Sequence, residues 1–90
     1  MNKTILIETI SQRTGLTAEE VEQAVMTAFD IITERMISGQ SVSVHGFGTF
    51  SVKVVPAKRS RDSEGELVWK PARKVPNFRP GETLSSRFEG

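Results

Sequence analysis

The apolar positions of the chain change their period near residue 40. Before it they recur at helical spacing; after it they alternate. Ile5, Leu6 and Ile10 predict a first helix, with Asn2 placed to cap it and Gly15 placed to end it in a left-handed turn. Thr17 and Glu20 form the pattern of a reciprocal capping box, and Leu16 and Val21 stand where a hydrophobic staple would close over it. The spacing predicts a second helix from about Ala18 to Ser38, stopped by Gly39. Its apolar residues are Val21, Ala24, Val25, Ala28, Phe29, Ile31, Ile32, Met36 and Ile37. That stripe is wider than one short antiparallel helix covers, and a second subunit is the simplest supplier of the missing surface.

Beyond Gly39 the period is two. Val42 and Val44 alternate with Ser41, Ser43 and His45; Phe50, Val52 and Val54 alternate with Thr49, Ser51 and Lys53. Gly46-Phe47-Gly48 between them reads as a tight connection of antiparallel strands. β-favouring residues run on to Val55, Pro56 interrupts, and the chain turns basic at Lys58-Arg59-Ser60-Arg61. Asp62-Ser63-Glu64-Gly65 reads as a turn and Leu67-Val68-Trp69 as the returning strand, with Pro71 expected opposite Pro56. Residues 53–74 thus form a long hairpin with too few apolar residues for a core, and such an isolated ribbon is marginal in water. Pro76-Asn77-Phe78-Arg79-Pro80-Gly81 leads back, with Phe78 as a core anchor, and a short last helix is expected over about Thr83 to Phe88. The fold class is α+β: a helical hairpin, a three-stranded antiparallel sheet, a long β-ribbon arm and a short C-terminal helix. Ninety residues make one domain, here divided into a body (1–52), an arm (53–74) and a return segment (75–90).

A net charge of +1 conceals a strong asymmetry. Residues 1–52 carry three basic and six acidic side chains, whereas residues 53–79 carry eight basic and three acidic ones. An acidic body with a basic segment points to a polyanionic partner. The absence of Cys excludes disulfides, thiolate metal sites and cysteine nucleophiles, which suits a reducing cytosol. No run approaches the roughly 20 apolar residues of a membrane span, and Glu8 breaks the N-terminal apolar stretch too early for a signal peptide.

Catalysis needs a constellation, and none is present. The single histidine, His45, alternates away from Val42 and Val44 and reads as solvated. Gly46-x-Gly48 lacks the third glycine and the following helix of a dinucleotide fingerprint. Asp30 and Glu34 read as a solvated acidic edge. A binding module is expected, not an enzyme, with no cofactor, no metal and no small-molecule substrate.

Two boxes about 30 residues apart are more specific. Gly46-Phe47-Gly48-Thr49-Phe50 and Lys74-Val75-Pro76-Asn77-Phe78-Arg79-Pro80-Gly81, with the Met1-Asn2-Lys3 start, Gly15-Leu16 and Gly39, resemble the HU/IHF family of bacterial histone-like DNA-binding proteins over essentially the whole chain. The resemblance implies an intertwined homodimer with a helical base, a sheet saddle and two arms that wrap duplex DNA through the minor groove. HU and IHF are themselves type examples of that binding mode. The residues it marks for DNA contact are Lys3, Gly46, Phe47, Lys53, Lys58, Arg59, Arg61, Lys70, Arg73, Lys74 and Arg79. Backbone amides at Gly46-Phe47 and at the start of the first helix are further candidates for phosphate.

The chain also departs from the family. Family arms usually end in Arg-Asn-Pro-x-x-Gly, whose Pro is the wedge; here the tip is Arg61-Asp62-Ser63-Glu64-Gly65, without Pro and with two carboxylates expected to face phosphate. Val55 stands at a usually basic position, and Glu82 and Ser85 stand where the last helix often carries lysines. The expected function is sequence-tolerant binding and bending of duplex DNA in the nucleoid of a bacterial cytoplasm. The alternatives are a protein-interaction dimer on the same scaffold and an IHF-like site-specific bender.

Overall fold

The computed structural model describes residues 1–89, which fall into two compact units, Met1–Glu34 and a second one from Arg35 onward. Its elements, in chain order, are α1 (Lys3–Thr14), α2 (Ala18–Ile37), β1 (Val42–Val44), β2 (Gly48–Val55), β3 (Lys58–Arg61), β4 (Leu67–Lys70), β5 (Arg73–Pro80) and α3 (Glu82–Ser86). The α+β class and the three-stranded antiparallel sheet are those expected.

Every helix boundary has a local cause. The Asn2 side chain accepts from the Ile5 amide at 2.9 Å, and Gly15, at φ 77°, closes α1 by donating to the Ser11 carbonyl. The capping box of α2 forms in both directions: the Glu20 amide donates to Thr17 Oγ1 and the Thr17 amide to the Glu20 carboxylate, each at 3.1 Å. The Thr17 amide and, second to it, the Thr17 hydroxyl, which donates to the same carboxylate at 2.9 Å, hold the Glu20 carboxyl below its ordinary pKa. At the other end Gln40 donates to the Arg35 carbonyl and Gly39, at φ 85°, to that of Met36. This is the paired bonding of a Schellman motif, so α2 stops at Ile37, one residue before the expected Ser38. The last helix starts one residue early because Gly81 is its cap, and after Ser86 it continues only as tight i→i+3 turns through Glu89.

In the first unit Ile7 of α1 and Val21 of α2 are buried, and they are the only buried hydrophobic side chains among the described residues. Along α2, Val25, Met26, Ile32 and Met36 are half-buried. Its second apolar stripe is open: Phe29 is 49% and Ile31 48% exposed, and Ile37 is 76% exposed at the helix end. One chain therefore covers only half of the width that the sequence pattern demands.

The second unit is built on a sheet of order β1-β2-β5, antiparallel throughout. Val42 pairs with Phe50 and Val44 with Gly48; Phe50 pairs with Phe78, Val52 with Pro76 and Val54 with Lys74. These residues share one face. The β1–β2 turn needs a positive φ at Gly46 (80°), and the Phe47 amide closes it onto the Val44 carbonyl at 3.0 Å. Gly48 is buried for a different reason. The Phe78 ring lies across it, so an added Cβ would meet that ring and the Arg79 carbonyl oxygen, each at 2.6 Å. The same ring is 4.9 Å from the Phe50 centroid and 5.3 Å from that of Phe47. The Gly81 amide donates to the Phe47 carbonyl at 2.8 Å and ties the end of β5 to the turn.

Replacing Gly48 by Ala leaves the ring no room without moving backbone. Thermal denaturation at fixed protein concentration should show a loss of roughly 1–3 kcal/mol, the usual cost of overpacking. An unchanged midpoint would mean that the Phe78 ring can move aside freely.

Candidate nucleic-acid interface

Strand alternation divides the basic residues between faces. In the β2–β5 ladder, Thr49 pairs with Arg79, Ser51 with Asn77, Lys53 with Val75 and Val55 with Arg73. Lys53, Arg73 and Arg79 thus share a face with Ser43, Thr49, Ser51 and Asn77, opposite the phenylalanines. That face is largely polar; Thr49 and Asn77 bond across it to Ser43 and Ser51 at 3.3 and 3.5 Å. Lys74 does not join them. It stands on the apolar face, opposite Val54.

The ribbon is a sheet of its own, β3 against β4, pairing Lys58 with Lys70, Arg59 with Trp69, Ser60 with Val68 and Arg61 with Leu67. Carried inward from both ladders, the register sets Pro56 opposite Ala72 and Pro71 opposite Ala57. The expectation that the two prolines oppose each other is therefore off by one rung. Each proline removes an amide donor from a different rung, and pairing lapses over 56–57 and 71–72 for that reason.

The tip is closed by its own side chains. The Asp62 and Glu66 backbones pair around the loop Ser63-Glu64-Gly65, Gly65 takes φ 81°, and its amide returns to the Asp62 carbonyl at 3.0 Å. This is the three-residue hairpin loop that ends in a left-handed glycine. Asp62 Oδ1 accepts from the amides of Glu64 and Glu66, both at 2.9 Å. The expectation that both tip carboxylates face phosphate is thus corrected for Asp62: its charge is turned onto its own loop, where two otherwise unpaired donors attract it. Arg61 braces the same loop through Nη1 to the Gly65 carbonyl at 2.8 Å.

Among the described residues one ion pair forms, Lys3 with Glu22 at 3.7 Å, both side chains half-exposed. Such a surface pair contributes about 0–1 kcal/mol and does not lock Lys3 away. Lys53, Lys58, Arg59, Arg61, Lys70, Arg73, Lys74 and Arg79 have no carboxylate partner, and all are exposed. The Phe47 amide is engaged in its turn, so a phosphate there would compete with the Val44 carbonyl. Two residues escaped the sequence reading: Trp69, which the hairpin sets across from Arg59, and Asp62 in its loop-closing role. Counting period two back from the turn would have placed Trp69.

Asp62→Ala removes the acceptor of two loop amides. Hydrogen exchange at Glu64 and Glu66 should quicken roughly tenfold, the equivalent of about one net hydrogen bond each. Asp62→Asn, which keeps an acceptor oxygen, should give a smaller effect. Equal exchange in all three proteins would refute the inward role of the carboxylate.

Comparison with known proteins agrees with this geometry. Residues 1–89 match the family model described as bacterial DNA-binding protein. The DNA-binding protein HU of Geobacillus stearothermophilus is 41% identical over 85 residues, which cover 93% of this chain and 94% of that protein. The SPbeta prophage-derived DNA-binding protein HU 2 of Bacillus subtilis (strain 168) is 40% identical over 85 residues, 93% of this chain and 92% of that one. Among solved structures, an Anabaena HU–DNA cocrystal structure superposes with a TM-score of 0.92 at 27% identity, covering 98% of this chain and 97% of the other. No helix among the described residues is long and apolar enough to cross a membrane. With the helical hairpin, the β1-β2-β5 sheet and the basic ribbon all in place, the chain belongs to the bacterial DNA-binding protein family that includes HU.

Proposed function

We propose that this protein is a homodimeric HU-like architectural protein that binds duplex DNA with little regard to sequence and bends or wraps it in the bacterial nucleoid. One observation carries the reading: a ribbon and a sheet face bear cations that no carboxylate of the described chain neutralises. A solvated basic loop would be expected to pair with the acidic residues interspersed in it; here Asp62 is turned onto backbone amides instead. Lys and Arg side chains so placed neutralise phosphates and release condensed counterions. Arms that follow a groove respond to its width and deformability more than to base identity. The Anabaena relative, crystallised with DNA, supports the same partner here. The role is one of binding and shaping and calls for no catalytic residue, cofactor or metal.

The body 1–52 serves dimerisation in this proposal, 53–74 serves as the arm, and 75–90 is the return to the body with the last helix. Two buried hydrophobic side chains do not hold together a chain of this length. The open stripe of α2, with Phe88 at 83% exposure, supports a second copy as its cover.

A dimer without a stable folded monomer makes stability depend on concentration. The thermal midpoint should rise by roughly 3–6 °C for a tenfold increase in protein, whereas a fixed midpoint with monomer mass in solution would exclude it. Replacing Arg59 and Arg61 by Ala removes four cations per dimer. Binding to any short duplex should weaken, and the log–log salt slope should flatten by up to about 3–4 units, at about 0.9 per phosphate contact. Titration at several salt concentrations measures both, and unchanged affinity of the variant at moderate salt would favour a protein-interaction role.

A further inference from the structure

Trp69 and Leu67 occupy one face of the ribbon, directly across from Arg59 and Arg61. They are 64% and 62% exposed, and a shallow groove lined by Arg59, Leu67, Val68 and Trp69 runs between them. A two-stranded ribbon has no core behind it, so nothing among the described residues covers this strip. The indole Nε1–H has no acceptor among the described residues. A large aromatic side chain left in water among cations gains only when a ligand covers it. The charges around it select that ligand. Arg59 and Arg61 flank the strip on the same face with no neutralising carboxylate among the described residues, so the ligand is anionic. It must also offer flat apolar surface between its charges. A nucleic-acid strand does so at every nucleotide, where sugar and base lie between phosphates.

We propose that Trp69 is an apolar DNA contact of the arm, packing with Leu67 against sugar and base surface while Arg59 and Arg61 meet the flanking phosphates. This rests on the DNA-binding reading above and deepens it. The arm then binds through two separable parts. The cations give affinity that falls with salt; the indole gives affinity that salt leaves unchanged, because packing it releases no counterion. Such packing tolerates any sequence, since every nucleotide of a duplex presents its sugar at the groove wall. Trp69 therefore adds affinity without base specificity.

The chain has a single tryptophan, so the intrinsic fluorescence of the full-length protein reports this residue alone. On saturation with an intact duplex of about 25 base pairs, long enough to span a bent site, the emission should shift to the blue or be quenched. Acrylamide access should fall several-fold. Strong quenching marks stacking on a base; a blue shift without quenching marks packing on sugar. By anisotropy of labelled duplex, Trp69→Ala should bind roughly tenfold more weakly at low and at moderate salt alike, with the salt slope unchanged. Trp69→Phe should recover most of the loss, and Arg59→Ala should flatten the slope. Thermal midpoints of the Trp69 variants should match the wild type, given the exposure of the side chain. A saturated complex with unchanged emission and acrylamide access, or Trp69→Ala binding like wild type, overturns the assignment and leaves the DNA reading intact. Self-association without DNA that Trp69→Ala abolishes would make the strip a protein contact and overturn it too. Failure of the wild type to bind any duplex would overturn the DNA reading and this assignment together.

Discussion

The passage of the Phe78 ring over Gly48 sets the geometry of the second unit. β5 can lie beside β2 in the observed register only because Gly48 has no side chain in the space the ring takes. Phe50 and Phe47 flank the ring, and the Gly81 amide closes onto the Phe47 carbonyl. A single aromatic cluster thus joins the β1–β2 turn and the adjoining start of β2 to the end of β5, about 30 residues further on. Those are the two glycine-and-phenylalanine boxes; the chain between them completes β2, runs out as the ribbon over residues 56–72 and returns along β5.

Once β2 and β5 are locked in register, alternation decides which cations can act together. Lys53, Arg73 and Arg79 come to the face opposite the phenylalanines, and Lys74 falls on the apolar one. A one-residue slip would exchange them. The aromatic cluster, although Phe47 and Phe78 stay partly exposed in the single chain, is in that sense what aims the charges. Further out the ribbon has no such cluster. Its register is kept by the ladder of β3 and β4 and by a tip that satisfies its own donors through Asp62 and Arg61.

Most of the fold was legible in the sequence because its signals are local. Asn2, Thr17 with Glu20, Gly15 and Gly39 each act within five residues and each does what its pattern implies. The change of period at residue 40 separates helices from sheet, and the basic segment marks the arm. What was not legible depends on distances that composition does not carry. The one-rung offset of Pro56 and Pro71 follows from register, which only the whole hairpin determines. The inward turn of Asp62 follows from which loop amides lack partners. The part that Gly48 plays is visible only when Phe78 is seen to cross it. Trp69 is legible as part of the returning strand, but its place opposite Arg59 follows only from the register of the ribbon.

The tip and the strip together bear on how DNA would be shaped. An intercalating wedge must be apolar and rigid, because it replaces the stacking it breaks, at a cost of a few kcal/mol per step. Ser63 and Glu64 are neither, and their loop is held by hydrogen bonds to a carboxylate, which favours a polar, closed tip. Trp69 is apolar enough, but it sits on the returning strand, opposite Arg59 and two rungs in from the tip pair Arg61–Leu67. Set back from the tip, it is poorly placed to act as a wedge there. Smooth bending by 40–90° over 20–30 base pairs costs on the order of 1–6 kcal/mol and needs no unstacking. A closed polar tip thus favours wrapping by distributed contact over sharp kinking.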